Sequence, residues 1–208
     1  MFYDHDGFVN TLAWSSFGDP KPGKAPGPGK PATAARTSAK SSPGRATVVL
    51  DKNSTPAVWV IRPTLSMTTS LKKSESFVMA WALNMPSPKP VDLLHHEQLH
   101  YDISALVARD ALAAAALFID INDGFKSEFE ARQALSKVMH TVFAQEKAIH
   151  KAYDDAVHPE QSKGNTRGPE QLRWDGFIRS AKEDRRVPAI NWPVDGGFIM
   201  KTIYEVTP

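Results

Sequence analysis

The sequence predicts a single α+β domain over residues 1–208, in which a small, mostly antiparallel sheet packs on two long helices. Two observations lead to this prediction. Residues 46–82 hold short runs of β-branched and aromatic side chains separated by polar turn residues, whereas residues 92–156 carry apolar side chains at helical spacing. With 41% apolar and 23% charged residues, the chain has the composition of a globular protein and not of a disordered or fibrous one.

The β-rich part contains four candidate strands, at residues 47–50, 57–61, 65–69 and 77–79. Residues 8–17, which include Trp14 and Phe17, predict a further short strand or a segment that leads into the sheet. Residues 19–45 are rich in Pro, Gly, Ala, Ser and Lys and contain no large apolar side chain. Such a segment cannot bury enough surface to offset the entropy of ordering it, so its composition predicts a flexible loop.

Three helices are predicted after the proline-rich connector at residues 86–90. Asp92 is a candidate N-cap for a helix that ends near residue 119, before the Asn-Asp-Gly stop signal at 122–124. Ser127 and Glu130 have the capping-box spacing, which predicts a second long helix over residues 127–156. A short third helix at 169–181 and a terminal strand at 197–206 complete the prediction.

His96, Glu97 and His100 form a His-Glu-x-x-His pattern on the first long helix. Imidazoles four residues apart project from one face of a helix, one turn apart, and can therefore bind one Zn²⁺. Glu97 is placed to act as general base on a zinc-bound water. The alternative is a pair of ordinary surface or core histidines, but three fixed positions in a helical context favour the metal site.

The composition and charge of the chain limit which metal ligands, partners and membrane segments are expected. There is no cysteine, so a metal must be held by His, Asp, Glu or Tyr side chains. The formal net charge is +2, which gives no reason to expect a nucleic-acid partner. The longest apolar run, at residues 111–119, is far too short for a membrane span. Residues 1–6 lack the basic and apolar regions of a signal peptide.

The residues around the motif carry a resemblance to a known family. A leucine pair precedes the motif and Ala-Arg follows it, in the order Leu93-Leu94, His96-Glu97-Gln98-Leu99-His100, Tyr101-Asp102-Ile103 and Ala108-Arg109. This segment resembles a bacterial family of predicted secreted zinc-dependent proteases, a domain of unknown function with the pattern Leu-Leu, His-Glu-Gln-Gly-His-Phe-Asp-Ile and Ala-Arg. Leu99 stands where that family usually has glycine.

The resemblance extends over nearly the whole chain. Near the start, Leu12-x-Trp14-x-x-Phe17 is similar to the family's opening Leu-x-Trp-x-x-Phe. Downstream, the family shows a Tyr-Asp…Thr…His-Gly element and then a Gln and a Trp on a short helix, for which this sequence offers Tyr153-Asp154, His158, Gln171 and Trp174. Pro159 replaces the glycine that usually follows the histidine, which weakens the match at His158.

The resemblance implies that His158 completes the zinc site, because a catalytic zinc needs three protein ligands and one open position. Glu146, His150 and Asp154 stay open as alternatives, since the second helix should pack against the first and can direct any of them inward. Tyr153 is expected to donate to the oxyanion of the reaction, with a buried core tyrosine as the alternative.

Motif and resemblance together predict a zincin-like fold and a Zn²⁺-dependent metallopeptidase that hydrolyses a peptide or protein substrate. Two alternatives remain. One is a toxin-like secreted effector or particle-associated hydrolase that acts on a partner cell's protein or wall peptide, and the other is a non-catalytic zinc-binding module. We expect the protein to act outside the cytoplasm, although residues 1–6 are no signal peptide. Cleavage specificity and oligomeric state do not follow from the sequence.

Overall fold

The structure is a computed structural model that describes residues 2–5, 11–25, 33–62, 64–161, 167–183 and 192. Within these residues the fold is mixed α+β, as the sequence predicts, but it has several small sheets instead of one and a single long helix instead of two. The elements in chain order are β1 (Phe2–His5), β2 (Ala35–Arg36), β3 (Ala39–Pro43), β4 (Val48–Asp51), β5 (Val58–Ile61), β6 (Thr64–Leu71), β7 (Phe77–Val78), α1 (Ala80–Leu83), α2 (Lys89–Ile121), α3 (Glu128–Phe143), α4 (Glu146–Gln161) and α5 (Pro169–Glu183).

The largest sheet in the described part of the chain has the strand order β1-β6-β3. β1 runs parallel to β6, and β3 runs antiparallel to it, with Ala39 opposite Leu71. Along β6 the inward side chains Leu65, Met67 and Thr69 are buried and alternate with exposed ones, which is the period expected of a strand with one face on the core. That face packs on α2. Two smaller antiparallel pairs, β2 with β7 and β4 with β5, stand beside this sheet.

The prediction of a flexible loop at residues 19–45 is wrong for the second half of that segment. β2 and β3 lie in this segment, and β3 is a full member of the largest sheet. The composition argument failed because β3 is stabilised by backbone pairing with β6 and by small polar contacts, such as the 3.0 Å contact between the hydroxyls of Ser41 and Thr69, rather than by large apolar side chains. Residues 26–32 lie outside the described part of the chain.

Two other predicted strands have different outcomes. Within the segment 8–17, the described residues form no strand but a short 3₁₀ helix at Trp14–Ser16. Leu12 and Phe17 on either side of it pack against Tyr101 of α2, so the segment covers this helix instead of extending a sheet. The terminal strand predicted at 197–206 lies outside the described residues.

Helix α2 is the central element of the fold and is longer than predicted. It begins at Lys89, directly after Pro88, and Asp92 lies in its first turn instead of capping it. Pro88 is the N-cap residue, and Pro90 lies in the first turn, where the missing N–H of proline has no partner to lose. Most of its side chains between residues 99 and 116 are buried, because β6, α3, α4 and α5 all pack on it.

The second long helix is in fact two helices. Ser127 caps α3 by accepting a hydrogen bond from the Glu130 N–H at 3.1 Å, as predicted, but the helix stops at Phe143 and α4 begins at Glu146. No Pro or Gly marks the break. The break between α3 and α4 allows Val138 and Val142 of α3 and Ile149 of α4 to be buried in the core around α2. Packing therefore determines where the helix is interrupted.

Helix α5 confirms the third predicted helix. Its Trp174 and Ile178 join the core that α2 and α4 share. None of the helices in the described part of the chain has both the length and the apolar composition that a membrane span requires.

Candidate metal centre

The two motif histidines lie on the face of α2 that meets α4. Their Nε2 atoms are 3.1 Å apart, and the planes of their rings are nearly perpendicular. The His96 side chain is 7% exposed and the His100 side chain 13%. The spacing of four residues therefore has the consequence predicted from the sequence, with two imidazole nitrogens directed at one point.

Helix α4 supplies the other half of the cluster. Its apolar side chains Ile149, Tyr153 and Val157, spaced four residues apart, are buried and fix which side of the helix meets the core. Polar residues with the same four-residue spacing form a second stripe on α4, and three of them directly follow an apolar one in the sequence. This polar stripe consists of Glu146, His150, Asp154 and His158. Burial of the apolar stripe therefore brings the polar stripe to the edge of the interface with α2.

Asp154 is at the centre of the cluster. Its Oδ1 atom lies 3.0 Å from the Nε2 of His100, 3.4 Å from the Nε2 of His96 and 3.6 Å from the Nε2 of His158. The donor atoms of His96, Asp154 and His158 all lie within 4.8 Å of one another. The structure thus brings His158 to the motif histidines, and it brings Asp154 closer.

These separations match those around a zinc ion. Four ligand atoms bound tetrahedrally at about 2.0–2.1 Å stand about 3.3–3.4 Å from one another. The separations among His96 Nε2, His100 Nε2 and Asp154 Oδ1 are 3.1, 3.4 and 3.0 Å, each within about 0.4 Å of that value. Imidazole and carboxylate are also ligands that zinc favours. The residues present therefore fit Zn²⁺.

The protonation states favour metal binding. Burial lowers the pKa of His100 to about 4, so its imidazole is neutral at pH 7 and its nitrogen lone pair is available. Burial opposes ionisation of Asp154, but hydrogen bonds from His100 and His96 outweigh this effect and hold the pKa of that carboxyl well below its usual range. Asp154 is therefore an anion in the middle of the cluster.

Glu97 lies beside the cluster and is almost completely enclosed. It is 3% exposed, and its Oε2 atom has no hydrogen-bond partner within the described residues. Burial raises the pKa of its carboxyl, and the nearby His96 and Thr37 offset only part of the increase. Thr37 also donates to the Glu97 backbone carbonyl at 3.2 Å, which ties the chain between β2 and β3 to the motif. A buried carboxylate oxygen without a partner is a rare feature that calls for a functional explanation.

Tyr153 supports the cluster with its ring, while its hydroxyl points elsewhere. The ring stacks on His96 and meets His100 edge to face, with centroid distances of 4.8 and 5.0 Å. The hydroxyl donates to Gln171 Oε1 at 3.1 Å, and burial raises the pKa of the phenol. An oxyanion role, as predicted from the sequence, would require the hydroxyl to leave Gln171.

Residues of α5 hold Tyr153 in this position. Trp174 contacts its ring at a centroid distance of 5.2 Å. Gln171 donates in turn to Asp175, which also binds His95 at 2.9 Å. His95 therefore faces α5 and not the cluster. Gln171 and Trp174, quoted from the downstream motif, pack directly behind Tyr153.

Sequence reasoning did not single out the contacts on the far side of His100. Its Nδ1 lies 2.9 Å from the Nδ1 of His150, and the Nε2 of His150 lies 3.2 Å from the hydroxyl of Ser104. That hydroxyl donates to Glu146 Oε1 at 2.5 Å. Asp102, two residues after His100, binds Lys182 and Gln98. The four-residue spacing of Glu146, His150 and Asp154 was the available signal.

No protein-family model, no curated protein and no solved structure matches the chain significantly. The resemblance to the protease family therefore continues to depend on the residues quoted for it, and the functional argument depends on the geometry of the cluster.

Proposed function

We propose that the chain is a zinc-dependent metallopeptidase in which His96, His100 and Asp154 hold Zn²⁺ and Glu97 is the general base. The supporting observation is the convergence of three donor atoms at tetrahedral separations beside a buried carboxylate oxygen that has no partner. A surface cluster of charges does not need such an oxygen, whereas a hydrolytic site has to keep a proton acceptor free and desolvated.

His158 is the alternative third ligand. Its nitrogen stands 3.6 Å from Asp154 Oδ1, and its side chain is 59% exposed, the most exposed of the cluster. We favour Asp154 because its distances to both motif histidines are shorter and because its charge compensates a divalent cation at the point where the imidazoles meet. In this assignment His158 stands at the solvent side of the site, beside the position left for substrate.

The roles of the protein groups follow from their surroundings. Zinc, when bound, supplies a Lewis acid that polarises a carbonyl and lowers the pKa of water. Glu97 accepts the proton of the attacking water at Oε2 and returns it to the leaving amine. Burial raises the pKa of Glu97, which brings it closer to the range in which a carboxyl can both take and release a proton near neutral pH. Tyr153 holds the His96 imidazole in place through ring stacking.

We infer a peptide or protein substrate and a zincin-like arrangement from the motif, the family resemblance and the position of α2 against the sheet. β6 is flanked by β1 and β3, so the described edge next to the motif helix is formed by β3 and the segment around Thr37. An extended peptide can add to such an edge through its backbone.

A non-catalytic zinc-binding module is the second candidate, and one observation favours it. The donor atom of His158 lies within 4.8 Å of those of His96 and Asp154, so it can add a protein ligand to the set proposed above, and a closed four-ligand coordination sphere is typical of structural sites. Glu97 is the counter-argument, because a structural site has no use for an enclosed carboxylate whose Oε2 has no hydrogen-bond partner within the described residues.

The test combines metal binding with a search for cleavage. Metal-free protein is titrated with Zn²⁺ in a calorimeter, and metal-free and zinc-loaded samples are incubated with a mixture of peptides analysed by mass spectrometry. We expect one zinc per chain and new peptide termini only in the zinc-loaded sample. One zinc without cleavage would favour the structural module, and no zinc would remove both candidates.

A further inference from the structure

The polar residues of α2 and α4 form a ladder that continues beyond the metal centre. On α2 they are His96, His100 and Ser104, and on α4 they are His158, Asp154, His150 and Glu146, each four residues from the next. Because the helices meet with these stripes in opposite order, His100 contacts both Asp154 and His150, and Ser104 contacts both His150 and Glu146.

With zinc bound, Glu146 ionised and His150 neutral, the hydrogen bonds of this ladder have only one consistent direction. A carboxylate only accepts, so the Ser104 hydroxyl at 2.5 Å must donate to it. The Ser104 oxygen then accepts from His150, which places the proton of His150 on Nε2 and leaves its Nδ1 as an acceptor. His100 Nδ1, 2.9 Å away, must therefore carry the proton that fills this contact.

This order of hydrogen-bond donors determines whether the Nε2 atom of His100, which faces the cluster, carries a proton. A neutral imidazole has one protonated nitrogen, so protonation of His100 at Nδ1 leaves a lone pair on Nε2. That lone pair lies 3.0 Å from the Asp154 carboxylate and 3.1 Å from His96 Nε2. With zinc bound, this lone pair is directed at the metal; in the metal-free protein a proton occupies the same contact, and His100 Nε2 donates to Asp154.

We propose that His150, Ser104 and Glu146 are positioning residues that orient His100 and hold its Nε2 as a metal ligand. This inference rests on the zinc site of the proposed function. Metal-binding histidines usually donate their second nitrogen to a carboxylate, a carbonyl or water, and loss of such a partner lowers metal affinity by about 10–100-fold. Here the Glu146 carboxylate accepts from Ser104, Ser104 accepts from His150, and His150 accepts from His100. The carboxylate of α4 therefore acts on the His100 side chain of α2 through these two intermediate residues.

The experiment measures zinc affinity by competition with a chromophoric chelator, in wild type and in variants on α4. His150→Phe should weaken zinc binding by about 10–100-fold. His150→Gln should restore most of the affinity, because its carbonyl can accept from His100 while its amide donates to Ser104. Asp155→Asn is the matched control, since it removes a carboxylate of the same helix that is paired with Lys151 and exposed.

The Asp155→Asn variant also distinguishes an effect on the orientation of His100 from an effect of the overall charge of α4. Asp155 adjoins Asp154, so a loss of affinity caused by the field of α4 alone would affect this variant as well. Ser104→Ala, a smaller change within the ladder, serves where His150→Phe fails to fold, and the melting temperature of each metal-free variant reports folding independently of zinc.

The protonated nitrogens are read directly by NMR of zinc-loaded wild type with ¹⁵N-labelled histidine. We expect His100 protonated at Nδ1 and His150 at Nε2. Wild-type affinity in both His150→Phe and Ser104→Ala, or the opposite tautomers, would overturn the positioning role while the zinc site stands. Failure of the wild type to bind zinc would overturn the proposed function and this inference together.

Discussion

Replacement of Glu97 by Gln should have two effects of opposite sign, one on turnover and one on stability. Glu97 is 3% exposed, and its Oε2 has no partner within the described residues. An ionised carboxylate in this environment is costly for the fold, and burial raises its pKa for the same reason. An amide has the same shape, carries no charge and accepts no proton from water.

The expected magnitudes follow from this environment. Loss of general-base catalysis should lower turnover by about 10²–10⁴-fold, which corresponds to roughly 3–5 kcal/mol of activation free energy. Removal of an unsatisfied buried charge should raise the free energy of unfolding of the metal-free protein by about 1–3 kcal/mol. For a chain of this size, each kcal/mol corresponds to roughly 2–4 °C in melting temperature.

Calorimetry of the metal-free proteins and peptide cleavage by the zinc-loaded ones measure the two effects. Glu128→Gln is the matched control, because Glu128 is 44% exposed and pairs with Arg132 on the surface of α3. This control should change the free energy of unfolding by less than about 1 kcal/mol and leave turnover unchanged. Near-normal turnover in Glu97→Gln would refute the general-base role. Lower stability together with loss of zinc would mean that the Glu97 carboxylate supports the ligands.

Three further predictions address the ligands, the pH dependence and the core. Asp154→Asn should weaken zinc binding more than His158→Ala in a chelator competition, and the reverse order would return the third ligand to His158. The metal-free protein should lose stability as the pH falls from 6.5 towards 4, because the unfolded imidazole gains its proton at about 6.5 whereas buried His100 gains it only at about 4. Urea unfolding at each pH should show a weaker pH dependence in His100→Gln, and equal slopes would contradict the burial argument. Met67→Ala, at a position with 0% exposure in β6, should lower the free energy of unfolding by about 2–5 kcal/mol, and a loss below 1 kcal/mol would mean that this side chain is not in the core.

The helices could be predicted from the sequence because their signals are local. The histidine spacing, the Ser127 cap and the periodic apolar residues each act within one or two turns, and α2, α3 and α5 follow them. The break between α3 and α4 could not be predicted in this way. No helix-breaking residue stands at Ala144 or Gln145, and the position of the break depends on what each helix buries against α2.

Strand β3 shows the limit of composition as evidence. Its residues, Ala-Lys-Ser-Ser-Pro, include no large apolar side chain, and nothing in the segment alone distinguishes a strand from a loop. The strand forms because β6 offers an edge of backbone N–H and C=O groups, and pairing with such an edge does not require large apolar side chains. Thr37 comes to Glu97 as a result of this pairing, so its role near the motif was equally invisible in the sequence.

The candidate site combines both kinds of information. His96, Glu97 and His100 are a local pattern, but the choice among His158, Asp154, His150 and Glu146 depends on the rotation of α4 about its own axis. Ile149, Tyr153 and Val157 determine this rotation, because their burial directs the neighbouring polar stripe towards α2. Both the apolar and the polar stripe of α4 are visible in the sequence. Which polar residue lies nearest to the motif histidines is known only from the contact between α4 and α2.

The order of residues along the ladder also gives the proposed site a direction. Exposure increases from His96 through His100 and Asp154 to His158, while the hydrogen bonds from His100 lead the opposite way, to Glu146. The open side of a bound metal would therefore face solvent near His158, and the groups that orient its ligands would lie on the other side. Because α2 and α4 are antiparallel at this contact, the proposed substrate entrance and the residues proposed to orient the ligands would lie at opposite ends of the same polar stripe.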